Sequence, residues 1–163
     1  MPGTLAHLER SPREVARWQK AQQQLLSGQC GPALAAYREL VRKYPAVPEL
    51  WFELGSAAAG DLDFGLANHA YKRVLELSPN NANLLVMVGR QYQGLRQLDQ
   101  ARAAFERAVA ADPASVDARI SLASERGFPP AVGIQVFLDV PAVGRLPRMW
   151  YGLKRRDVLE FLQ

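Results

Sequence analysis

Apolar and small residues recur along the chain with a period of thirty-four. Tyr37, Tyr71 and Phe105 form one such column, Ala33, Ala67 and Ala101 a second, and Leu40, Val74 and Ala108 a third. Cys30, Phe64 and Leu98 make a fourth apolar column, and Pro45, Pro79 and Pro113 keep the same spacing. Ala21, Gly55, Gly89 and Ala123 extend a small-residue column to four members. A repeat of this length is one supersecondary unit stacked on itself, because a single unit cannot bury its own apolar face.

Within each unit the pattern fits two antiparallel helices. Only Gly or Ala fits where two helix backbones cross closely, which accounts for the columns through Gly55 and Ala67, and Trp51, Leu54 and Tyr71 fill the space beside them. Proline ends each unit because it cannot continue a helix and restrains the residue before it. Gly60-Asp61-Leu62-Asp63 and Gly94-Leu95-Arg96-Gln97 supply turns inside the units. Gly31-Pro32 places proline at a first helical position, and Ser11-Pro12-Arg13-Glu14 reads as a capping box. The predicted helices are 12–27, 31–44, 48–59, 64–77, 82–94, 98–111 and 115–126.

On these residues the chain resembles the tetratricopeptide repeat family, whose unit is thirty-four residues long. Unit 48–81 carries the family pattern in Trp51, Leu54-Gly55, Ala67, Tyr71 and Pro79. Unit 82–115 carries it in Val88-Gly89, Tyr92, Ala101, Phe105, Ala108 and Pro113, with Leu85 at the tryptophan position. Unit 14–47 matches from Gly28 to Pro45, whereas Arg17, Lys20 and Gln24 replace the usual large apolar residues of its first helix. The resemblance implies an all-α, right-handed superhelical solenoid of antiparallel helix pairs. It has a lead-in over 1–13, three full repeats, a partial fourth at 116–126 and a C-terminal extension over 127–163.

The resemblance also implies a concave surface lined by the first helix of each unit. Trp18, Phe52, Val86 and Ile120 would form an apolar track along it, with Gln22, Glu53, Ser56, Arg90 and Gln93 as polar handles. Such a surface suits an extended peptide or one amphipathic helix of a protein partner. One subclass of the family clamps the C-terminal carboxylate of chaperones through Lys, Asn and Arg side chains. The matching positions here are Trp18, Gln22, Glu53, Asn83 and Met87, none of the required type, and Glu53 would repel a carboxylate. The expectation is therefore a binding groove without a carboxylate clamp.

Composition and charge narrow the chemistry. With 163 residues, 48% hydrophobic and 22% charged, the chain has the make-up of a folded domain. No run of eighteen apolar residues offers a membrane span, and the first residues lack the apolar core of a secretory signal, so the expected location is cytoplasmic. The net charge of +4 is spread along the chain, and the densest basic run, Lys154-Arg155-Arg156, is followed by Asp157 and Glu160. That pattern reads as a solvated helix face, not a nucleic-acid stripe. One cysteine and two histidines do not assemble an ordinary zinc site or an internal disulfide. His69 falls within a helix with no relay partner in sequence, and Cys30 is expected to be buried in its column. Asp61 and Asp63 read as helix caps. No phosphate loop, GxGxxG, HExxH or GxSxG is present, so the chain is expected to be non-catalytic, with no cofactor and no metal.

After Arg126 the repeat stops. Ile134, Val136, Leu138 and Val140 alternate with Gln135, Phe137 and Asp139, a strand signal, and a short helix is expected from about Tyr151 to Leu162. Residues 127–163 read in three ways: a cap over the last apolar face, a linker into a domain beyond residue 163, or an apolar tail seated in its own or a neighbour's groove. The second of these makes the repeats an accessory or targeting module of a larger enzyme, and the third is self-association.

Overall fold

The computed structural model describes residues 3–125. Their helices are α1 (Leu5–Glu9), α2 (Pro12–Leu26), α3 (Cys30–Lys43), α4 (Pro48–Gly60), α5 (Phe64–Leu77), α6 (Ala82–Gly94), α7 (Leu98–Ala111) and α8 (Val116–Glu125). The pairs α2/α3, α4/α5 and α6/α7 are the three units, and α8 opens a fourth. The strand expected over 132–140 and the helix expected from 151 lie outside the described residues.

The small-residue column works as a socket for the aromatic column. A methyl group on Gly55 would stand 2.5 Å from Tyr71 Cε1, and one on Gly89 would run into the Phe105 ring. Tyr37, Tyr71 and Phe105 are fully buried, together with Ala33, Ala67 and Ala101. Each unit therefore closes by laying the ring of its second helix on the bare backbone of its first.

First helices approach one another at the first and last seams: α6 packs on α8, and α2 is hydrogen-bonded to α4. Second helices are bridged by long side chains, Arg38 to Asp63 at 3.6 Å and Arg107 to the Leu75 carbonyl at 3.0 Å. The first helices thus form the inner, tighter row of the curve and the second helices the outer row.

The turns inside the units fall within 60–63 and 94–97, as the sequence places them, and their left-handed residue is not the glycine. Gly60 and Gly94 end their helices, and the left-handed residue comes two positions later, at Leu62 (φ 64°) and Arg96 (φ 61°), in register with Gly28 (φ 77°). At all three a backbone N–H folds back across six residues, Gln29 to Gln24 O, Asp63 to Ala58 O and Gln97 to Tyr92 O, at 2.8–2.9 Å. This is a Schellman closure, in which glycine is the unstrained occupant. Leu62 is 74% exposed and contributes little packing. Leu62→Gly is expected to raise stability by about 0.5–1 kcal/mol, whereas Leu62→Ala brings no gain, as a thermal-unfolding comparison would show.

At the N-terminus two further expectations give way. Ser11 caps α2 without a side-chain hydrogen bond, so the capping box does not form. Glu14 turns instead to Lys43 at the end of α3 (2.5 Å) and toward Arg17 (3.7 Å), and is only 5% exposed. A paired, buried carboxylate is worth more than a solvated cap. Pro32 also falls inside α3, which starts at Cys30. The lead-in contains α1, too short to show a period; its Leu8 enters the core, and Gly3 accepts from the Ala46 N–H, tying the segment to the first inter-unit loop.

The hydrogen bond from Lys43, helped by the charges of Arg17 and Arg13, holds the Glu14 carboxyl below its ordinary value of 4.5. A depressed folded-state value stabilises the fold above 4.5 and is lost as pH falls through the folded value. Urea unfolding of wild type and Glu14→Gln is therefore expected to differ at pH 7 and to converge as the pH falls below 4.5 and through the lower folded-state value.

Candidate functional site

The inner row gathers the residues that the repeat register assigns to a groove. At the first seam, Glu53 of α4 accepts hydrogen bonds on both carboxylate oxygens, from the Trp18 indole N–H and from Gln22 Nε2 at 2.7 Å, both on α2. Tyr37, on α3, places its hydroxyl beside Glu53 without a well-formed hydrogen bond. Burial, and then the neighbouring carboxylate, push that hydroxyl far above the ordinary tyrosine range. At the last seam, Arg90 of α6 pairs with Asp117 of α8 at 2.7 Å, and Gln93 donates to Glu125 at 3.3 Å. Gln22, Glu53, Arg90 and Gln93 are thus not free handles: each ties its inner helix to the next.

The middle seam is built differently. Phe52 of α4 leans on Tyr71 with ring centroids 6.1 Å apart, and Tyr71 meets Tyr92 edge-on at 5.6 Å. The Tyr71 hydroxyl donates to Gln91 Oε1 at 3.2 Å, and burial pushes it up to about 12. Ser56 is half-buried one turn from Phe52 and returns its hydroxyl to the Phe52 carbonyl. The result is an aromatic floor with a half-exposed rim.

The apolar track is not continuous as expected from the sequence. Trp18, Phe52 and Ile120 are half-buried and packed at the surface of the row, but Val86 is 2% exposed and belongs to the core. Met87, which holds the register of Glu53 one unit on, is 40% exposed and is the accessible apolar residue of the third unit. Tyr37, Tyr71, Tyr92 and Glu125 were not visible as groove elements in the sequence. Their signal is diagonal: the contacts Gln22–Glu53 and Gln93–Glu125 span thirty-one and thirty-two residues, just short of one repeat.

Other features fall elsewhere. Cys30, Phe64 and Leu98 keep their column but stand at the turn edge, with Phe64 48% exposed and Cys30 half-buried against Gly60. The expected burial of this column fails because it sits where the helices begin, past the last covering turn. Asp63 caps α5 by accepting from Leu66 N–H at 3.0 Å, and His69 stands edge-on to Trp51. Ser78, Pro79, Asn80, Asn81, Asn83 and Asp112 line a shallow depression of about 520 Å³ among the unit-joining loops. Among the described residues, no three His, Cys, Asp or Glu side chains converge to hold a metal, and no helix is long and apolar enough to cross a membrane.

Residues 19–82 and 70–103 match profiles of the tetratricopeptide repeat. Over 128 residues, 74% of the chain, the sequence is 29% identical to cellulose synthase operon protein C of Pseudomonas fluorescens. The chain spans about a tenth of that curated relative. Solved structures with the same fold include the Sgt2 TPR domain from Aspergillus fumigatus, at 12% identity and a TM-score of 0.61, covering 87% of this chain and 93% of that one. The first TPR of Spaghetti, bound to an HSP90 peptide SRMEEVD, matches at 18% identity and a TM-score of 0.58, covering 69% and 90%. MamA from Desulfovibrio magneticus matches at 19% identity and the same score, covering 81% and 75%. These likenesses show the same fold, a solenoid of helix pairs.

Proposed function

The chain belongs to the tetratricopeptide repeat family, and from that premise we propose that its inner row holds a peptide segment of another protein. The module acts as a non-catalytic scaffold for that partner. The observation that carries this reading is the middle seam, where Phe52, Ser56 and Met87 keep accessible surface over a fully packed floor of Tyr71 and Tyr92. A rigid floor with a few accessible aromatic and thioether groups is what a short segment needs, because little ordering cost is added on binding. Trp18 and Ile120 extend the contact to either side.

Two anchors of this kind contribute about 1 kcal/mol or more each, so Phe52→Ala/Ile120→Ala is expected to weaken partner binding by about thirtyfold or more. Affinity capture from source-cell lysate, quantified by mass spectrometry, compares this variant with wild type and with Arg102→Glu on the outer row. Loss of one captured protein in the inner-row variant alone supports the reading. Equal capture by all three, with the helical fold intact by circular dichroism, sinks it.

A second reading rests on the curated relative, of which this chain matches about a tenth. In it, the repeats serve as the accessory module of a longer polypeptide. An antibody against the repeats would then detect a source-cell band well above 18.1 kDa.

A further inference from the structure

The charge of the inner row runs against that of the chain. The whole sequence carries +4, and the cations Arg13, Arg17 and Lys20 of α2 keep the register of Val47, Trp51 and Leu54, yet among the described residues the groove-facing side of the inner row bears Glu49, Glu53, Asp117 and Glu125 against Arg90, which Asp117 already occupies. Arg17 and Arg119 keep the register of Trp51 and Leu85, which points them away from this face. Glu49 and Glu53 stand one turn apart on α4, and neither makes an ion pair among the described residues. Like charges at that spacing repel, and among the described residues the groups that meet Glu53, the Trp18 indole, the Gln22 amide and the neighbouring Tyr37 hydroxyl, are neutral.

Buried acceptors on the same face also lack donors. Among the described residues, one oxygen of Glu49 and one of Glu125 are buried without a hydrogen bond. Buried polar atoms are nearly always satisfied in a working state, and an unmet carboxylate oxygen is among the costliest. The side chain that meets a pair of carboxylates with several fixed donors is arginine, with lysine as the simpler alternative.

We infer that the segment held by the inner row is basic, seating an Arg or Lys side chain between Glu49 and Glu53 while its apolar residues rest on Phe52 and Met87. This rests on the groove reading above and specifies its partner as a cationic segment of a separate protein. It also sets the chain apart in charge preference from a groove suited to an acidic peptide.

The test is a random twelve-residue peptide library displayed against the purified full chain, followed by fluorescence anisotropy with the best selected peptide. Arg and Lys are expected to be enriched over the starting library. Glu49→Gln/Glu53→Gln is expected to weaken the selected peptide about tenfold or more, with a clear loss of affinity as salt rises. Should Glu53→Gln loosen the Trp18–Gln22 bridge, Glu49→Gln alone, which touches no hydrogen bond, is expected to cost a several-fold share. Selected peptides that are neutral or acidic yet depend on Phe52 overturn the inference and leave the groove reading standing. Basic peptides indifferent to Glu49, Glu53 and Phe52 overturn both. Affinity that rises about tenfold in Lys154→Glu/Arg155→Glu/Arg156→Glu identifies the chain's own basic run as the occupant and overturns the assignment to a separate partner.

Discussion

Phe105→Ala is expected to lower stability by about 3–5 kcal/mol, read as the shift in urea midpoint at constant slope. The ring is fully buried, and the space it fills exists only because residue 89 has no side chain. Truncation leaves a cavity against the α6 backbone at Gly89, which has no side chain to fill it. The complementary change is Gly89→Val, which drives new methyls into the ring and is expected to cost about 3 kcal/mol. In the double variant the new methyls enter the space the ring left. The two losses should therefore add to less than their sum by about 1 kcal/mol or more. Simple additivity would mean that the ring and the glycine do not form one socket.

Tyr71→Ala is expected to cost a similar amount, about 3–5 kcal/mol, and also to change how the molecule unfolds. Tyr71 fills the Gly55 socket of its own unit, and its far side meets Phe52, Tyr92 and Gln91 across the middle seam. A solenoid unfolds as one body only while its nearest-neighbour interfaces outweigh the differences between its units. With the seam weakened, the denaturant transition should broaden or divide into two steps. Tyr71→Phe, which keeps the ring and loses only the bond to Gln91, should cost about 1 kcal/mol and leave one transition. A single sharp transition in Tyr71→Ala would show that the seam is held by other contacts.

Much of this architecture is legible in the residues because a repeat states the same packing problem several times. Gly55 and Gly89 are unfavourable within a helix, and their agreement in register with Tyr71 and Phe105 marks the crossing point. Helices α5, α6 and α7 end where the sequence places them. Two kinds of feature stay hidden. Helix α1 has only five residues, less than two turns, so no period can announce it. The closure at Leu62 and Arg96 uses residue types that carry no left-handed preference, while the visible glycines at 60 and 94 end the helices before it.

The candidate groove is legible in outline and not in its chemistry. Register places Trp18, Phe52 and Ile120 on one face, but it says nothing about which neighbour claims each polar group. Glu53 is taken by Trp18 and Gln22, and Arg90 by Asp117, through contacts that join different turns of adjacent helices. Val86 illustrates the same gap. It shares the offset of Phe52, yet it is buried, while Met87, about 100° further round the helix, is the exposed residue.

Oxidative footprinting of the full chain, with and without a display-selected peptide, tests the central claim most directly. Met87 and Phe52 report the inner row, and Phe64 and Leu98 report the exposed apolar turn edge. The account predicts that the peptide suppresses oxidation at Met87 and Phe52 and leaves Phe64 and Leu98 unchanged. Protection at Phe64 and Leu98 with Met87 still freely oxidised would contradict it and move the binding surface to the turn edge.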